Sequence, residues 1–113
     1  MDKITKFQSI IKSVFQRYHR DEQPEGYQEY ETQMVTDDAN GHYYLMDIGW
    51  HDMQGIHGCL LHVDIKNGKI WIQQDWTEDG IADELIAAGV GSADIVLAFQ
   101  APYKRPHTGF ATA

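Results

Sequence analysis

Ile4, Phe7, Ile10, Ile11, Val14, Phe15 and Tyr18 recur at spacings of three, four and seven, which gathers them on one stripe of a helix. The spacing predicts an amphipathic helix from residue 2 to about residue 20, ending before Gln23. Asp2 is placed to cap its start, Arg17 and Arg20 suit the carbonyl end of its dipole, and Pro24 with Gly26 close the segment. From Tyr27 the period shortens toward two. A run to Thr36 meets the turn cluster Asp37-Asp38-Ala39-Asn40-Gly41, and a second run follows from His42 to Trp50. This is the pattern of a β-hairpin. In its second strand Tyr44, Met46, Ile48 and Trp50 alternate with Tyr43, Leu45 and Asp47, and the first set reads as the core face.

A loop over Asp52, Met53, Gln54 and Gly55 leads to a third strand from about His57 to Lys66, then Asn67-Gly68, then a fourth from Lys69 to Gln74. Asn-Gly favours a type I′ turn, which pairs Ile65 with Ile70 and Val63 with Ile72. Leu61 and Cys59 extend that core stripe, and Leu60, His62, Asp64, Lys66, Lys69 and Trp71 fall on the opposite face. Thr77 can cap a second helix beginning near Glu78, with Ile81, Leu85, Ile86 and Ala88 on its buried side. Gly89 followed by Val90 fits a Schellman stop. Trp76, just before this helix, reads as core or hinge packing. Ile95 to Phe99 is either a last buried strand or an apolar extended segment. In the tail, 101–113, Pro102 and Pro106 oppose regular structure while Tyr103 and Phe110 provide docking groups. The expected architecture is one α+β domain spanning 1–113, with a docked irregular tail. Its sheet is mostly antiparallel with four to five strands, its helices an N-terminal amphipathic one and a second after the fourth strand.

Charge narrows the choice of partners. Lys and Arg number 9 against 17 Asp and Glu, a formal charge of −8. A nucleic-acid binder gathers basic groups against phosphates, and here Lys12, Arg17, Arg20 and Lys104, Arg105 are small clusters among carboxylates. Direct nucleic-acid binding is therefore not expected, and an acidic surface suits a partner with a basic patch. Protonating all six histidines would bring the charge to about −2, so such attraction weakens in mild acid. The longest apolar run, Ile95 to Phe99, is far too short to cross a bilayer, and the opening residues carry no secretory pattern. One cysteine excludes an internal disulfide, so the expected compartment is the cytoplasm.

His51, His57, His62, Cys59, Asp47, Asp52 and Asp64 have the chemistry of metal ligands. On a strand, however, His57 and Cys59 share one face while His62 and Asp64 share the other, so they do not converge and no metal is expected. Cys59 on a core stripe reads as a small buried hydrophobe rather than a nucleophile. The pairs Asp37-Asp38 and Glu78-Asp79 are explained by a turn and a helix start, and no glycine motif fits a phosphate loop. No catalytic residue and no cofactor is indicated. The informative feature is a mixed sheet face on which Tyr43, Leu45, Leu60, His62 and Trp71 come together if the two hairpins join in one sheet. With two helices on the other face it is an interaction surface; with the N-terminal helix or the tail laid over it, it is internal.

The stretch IHGCLLHVDIKNGKIWIQQDWTEDGIADELIAAGV, Ile56 to Val90, with DIGW at Asp47 to Trp50 and the ending DIVLAFQAPYKRPHTGFATA, closely resembles the XisI family. The similarity covers nearly the whole chain, including the leading helix. It implies a controlling factor for excision of the fdxN element, a DNA rearrangement in heterocyst-forming cyanobacteria, working with a companion called XisH and a separate recombinase. The family brings no catalytic triad or cofactor to carry over. The expected role is non-enzymatic regulation through contact with an XisH-like protein, using Tyr43, Leu45, Leu60, His62 and Trp71 of the mixed face with Tyr103 and Phe110 of the tail. An antitoxin-like inhibitor of a nuclease-like companion is the alternative, and an uncovered sheet face would favour a homodimer.

Overall fold

The computed structural model describes residues 2–21 and 29–113. Helix α1 runs Lys3–Asp21 and begins as its sequence dictates. The Asp2 carboxylate accepts the Thr5 N–H at 2.7 Å, satisfying one of the donors a helix start leaves free. Phe7, Ile11, Val14 and Phe15 form its buried stripe. Pro24, Gly26, the expected strand start at Tyr27 and the Arg20 side chain lie outside what is described.

Five strands form one sheet in the order β1-β2-β3-β4-β5: Glu29–Asp37, His42–His51, Gln54–Lys66, Lys69–Asp75 and Ile95–Leu97. The first three junctions are antiparallel and β4 pairs with β5 in parallel. Helix α2, Ala82–Ala87, lies between β4 and β5 in the chain and makes that parallel crossover. Asn67 and Gly68 both have positive φ, 54° and 75°, as a type I′ turn requires, and Ile65 faces Ile70 and Val63 faces Ile72 as expected.

The β2–β3 junction departs from expectation. Instead of a four-residue loop, His51 pairs directly with Gln54, leaving Asp52 and Met53 as the whole turn, with Asp52 at φ 53°. The hairpin therefore extends as an exposed arm whose tip, Met53, is 96% exposed. A bulge then shifts the register, because Leu45 pairs with Leu61 but Met46 with Cys59. Leu60, the extra residue, packs against the core.

Helices α1 and α2 cover one face of the sheet. Its core joins Phe7, Ile11 and Phe15 to Tyr43, Leu45, Leu61, Val63, Ile70 and Ile72, closed by Ile81, Leu85, Val90 and Ile95. The assignment of faces in β2 is thus the reverse of the sequence reading. Tyr43 and Leu45 are fully buried, whereas Trp50 is 55% exposed. Both sets in β2 are apolar, so alternation alone does not choose between them. The choice is made across the sheet, where Tyr43 meets Val63 and Leu45 meets Leu61, two residues held inward with Ile70 and Ile72.

Helix α2 starts at Ala82 rather than near Glu78. Gly80 adopts φ 76°, and the cap is supplied from the end of β4: the Asp75 carboxylate accepts the Thr77 N–H at 3.0 Å and the Ile81 N–H at 2.7 Å. The Thr77 hydroxyl donates to Asp75 instead of capping a helix. Trp76, expected in the core or hinge, is 73% exposed. The Schellman stop is present: Val90 N–H donates to Leu85 and Gly89 N–H to Ile86, with Gly89 at φ 108°.

Beyond β5 the chain crosses to the opposite face. Pro102–His107 forms a 3-10 helix, an ordered turn where the two prolines suggested none. Arg105 donates to the carbonyls of Gln100 and Ala98 at 3.0 and 3.2 Å, and Ala111 bridges to Val96. No helix among the described residues is long and apolar enough to cross a membrane.

Candidate functional site

The second face of the sheet divides into a covered and an open part. Over β4 and β5, Trp71 is 8% exposed and Val96 fully buried. The Trp71 indole donates to the Lys66 carbonyl at 3.0 Å, and its ring meets the Lys66 ammonium at 4.7 Å and the Arg105 guanidinium at 5.7 Å. Over β1 to β3 the pairing places Val35 beside Tyr44 and continues through Met46 and Ile48 to Trp50. Val35 and Trp50 are exposed and the three between them half-buried. Tyr44, Met46, Ile48 and Trp50 are the residues expected in the core from β2, and with Val35 they form an apolar strip that helix α1 and helix α2, packed on the other face, leave uncovered.

At one end of this strip lies a polar cluster. His42 faces Asp64 across β2 and β3, and His62 lies two residues before Asp64 on the same face. The His42 Nδ1 and His62 Nε2 are 2.8 and 2.9 Å from the same oxygen, Asp64 Oδ1. The other oxygen accepts the Gln73 side-chain amide at 3.3 Å. The Tyr44 ring stacks on His62 with centroids 4.3 Å apart. The ligand-type atoms of His42, His62 and Asp64 all lie within 4.8 Å of one another.

The residues expected to form one partner surface are not brought together. Tyr43 and Leu45 are in the core, and the bulge turns Leu60 toward it as well. His62 and Trp71 do share the second face, but the C-terminal segment covers Trp71. Phe110 is half-buried against the core, and Tyr103 points to solvent at 75% exposure. Of the residues weighed as ligands, His51 and His57 are exposed on the arm, and His51 comes within 4.0 Å of Asp52 alone among the described carboxylates. The bulge removes Cys59 from the core stripe, placing it opposite Met46. Burial raises its thiol pKa, which keeps it protonated and a poor nucleophile.

His42 was missed in the sequence. It follows the Gly41 turn, and its meeting with His62 and Asp64 depends on the β2–β3 register, which the bulge changes by one residue. A second concave feature, the groove between α1 and α2, is bridged by Arg17 and Glu84 at 2.6 Å. The Tyr18 hydroxyl also donates to Glu84 at 3.2 Å, so Glu84 ties the two helices together.

The fold is thus an α+β domain whose five-stranded sheet is covered by helices on one face, with an apolar strip open on the other. The chain belongs to the XisI family: the family model described as XisI protein matches residues 1–112. Among solved structures it is similar to an XisI-like protein from Anabaena variabilis, with 40% identity and a TM-score of 0.90 over 97% of this chain and 99% of that one. It is also similar to the fdxN element excision controlling factor XisI from Anabaena variabilis, with 31% identity and a TM-score of 0.87 over 99% of this chain and 100% of that one. No curated protein matches it.

Proposed function

We propose that this chain is a non-enzymatic controlling factor of DNA excision that acts by binding an XisH-like protein in the cytoplasm. The observation that carries the reading is the near full-length likeness to a protein described as the fdxN element excision controlling factor. The open strip from Val35 through Tyr44 to Trp50 is the surface offered to the companion. It replaces the face expected from the sequence, since Tyr43, Leu45 and Leu60 are engaged in the core. The net charge of −8 favours a companion with a basic face, as a DNA-binding protein has, and disfavours direct contact between this chain and DNA.

The test is affinity for the XisH-like companion at low and high salt, with duplex DNA as a parallel ligand. The expected result is protein binding that weakens with salt, no DNA shift, and a loss of about ten-fold or more in Trp50→Ala, whose side chain is 55% exposed and outside the core. Binding to DNA alone would overturn the reading. Unchanged affinity in both Trp50→Ala and Val35→Asp would reject the strip, and self-association lost in those variants would assign it to a homodimer instead.

A further inference from the structure

We propose that His42, His62 and Asp64 bind a divalent transition-metal ion such as Zn2+. Two imidazole nitrogens and a carboxylate oxygen are a recurring donor set for such ions, commonly with a further position left for water or another group. Here they come from two adjacent strands of a rigid sheet, with all three ligand-type atoms within 4.8 Å. The His42 Nδ1 and His62 Nε2 converge on one oxygen at 2.8 and 2.9 Å. Ligand atoms about 2.0–2.2 Å from a tetrahedral ion are separated by about 3.3 Å. The two nitrogen–oxygen contacts therefore need to open by about half an ångström and the two imidazole nitrogens, within 4.8 Å of each other, to settle at the same spacing, with the ion taking the place of the two hydrogen bonds.

The surroundings already orient these donors. Stacking with Tyr44 fixes the plane of the His62 ring, and the Gln73 amide holds the Asp64 oxygen that faces away from the histidines. Asp64 is the most buried of the three side chains at 16% exposure and His42 the most open at 46%. An ion could thus enter from the His42 side, and its remaining position would face outward, where water or a partner's group can occupy it. The site's donor set does not depend on which macromolecule the chain binds.

Untagged protein stripped with EDTA and titrated with Zn2+ by calorimetry, and with Co2+ by visible absorption, tests the site. The expected result is one ion per chain, with affinity reduced about ten-fold or more by His42→Asn, His62→Asn or Asp64→Asn and about ten-fold by Gln73→Leu. His51→Asn and His57→Asn should bind as the parent does. Zn2+ should raise the Tm of the parent and leave that of His42→Asn unmoved. The exposed His42 can be replaced without disturbing the core, so its variant decides the matter even if Asp64→Asn fails to fold. Absence of stoichiometric binding in the parent, or binding kept by His42→Asn, would overturn the proposal.

Discussion

Gly41 and Gly68 have nearly the same backbone, φ 73° and 75°, yet they occupy different surroundings. A Cβ at Gly41 would meet the Ile65 carbonyl oxygen at 2.7 Å, while one at Gly68 would meet nothing within 4 Å. The left-handed conformation alone costs a non-glycine residue about 1–2 kcal/mol, and at Gly41 the strand backbone must also move, breaking the bond from Ile65 N–H to the Gly41 carbonyl. Gly68→Ala should therefore lower stability by about 1 kcal/mol and Gly41→Ala by roughly 3 kcal/mol, measured by denaturant unfolding. Equal losses would show that the close approach at Gly41 is not a constraint. The two positions also mark what a sequence discloses at this scale. Asn67-Gly68, the Asp2 cap and the Gly89 stop were legible because their causes lie within a few residues. The burial of Tyr43 in place of Tyr44 was not, because it depends on what β3 places opposite.

At the scale of elements, the start of α1 and the β1–β2 turn are both held by carboxylates. The Thr5 N–H beside Asp2 depresses that carboxyl's pKa, and the Asn40 side-chain amide, with the Asn40 N–H, does the same for Asp37. Each group binds its proton more weakly in the folded chain than in the unfolded one. Its contribution is complete above the ordinary value of 3.8 and is lost as pH falls through the lower folded value. The Tm should hold steady from neutrality to about pH 5 and decline below about pH 4. In the double variant Asp2→Asn, Asp37→Asn the amide oxygen at position 2 can still accept the Thr5 N–H and the one at position 37 can accept one of its two Asn40 bonds, and neither side chain titrates, so the decline should be shallower. An acid limb of unchanged steepness would place its origin elsewhere. The elements themselves were largely legible, and the strand ends agree closely except at the β2–β3 hairpin, where β3 begins at Gln54 rather than about His57. The late start of α2 was not, because the cap comes from Asp75 at the end of the preceding strand rather than from Thr77.

At the scale of the whole molecule, the sheet has two coverings, and the second is the C-terminal segment. The sequence left open whether the second face of the sheet was exposed or internal, and the structure divides that face, internal over β4 and β5 and open over β1 to β3, with Tyr43, Leu45 and Leu60 drawn off it into the core. The candidate site was correspondingly half legible, since a sheet face left free by the helices could be expected but its residues depended on a bulge and a chain crossing that no local pattern encodes. That division changes how the tail can be used experimentally. Removing residues after Gln100 takes away Arg105 and Ala111 and uncovers Trp71 and Val96, two apolar side chains now 8% and 0% exposed. Their exposure should cost about 3 kcal/mol or more, so a truncated chain would lose partner binding through unfolding alone. Trp71 also reports on this directly, because Trp50 and Trp76 are 55% and 73% exposed already. In a chain carrying Trp50→Phe and Trp76→Phe, truncation should shift the remaining emission to the red and lower the Tm. Tyr103→Ala, at a side chain 75% exposed, should leave both within the range of an ordinary surface change, about 0.5 kcal/mol. If the truncated chain kept a blue-shifted Trp71 and its full Tm, the segment would be an appendage free to engage a partner rather than part of the domain's own packing.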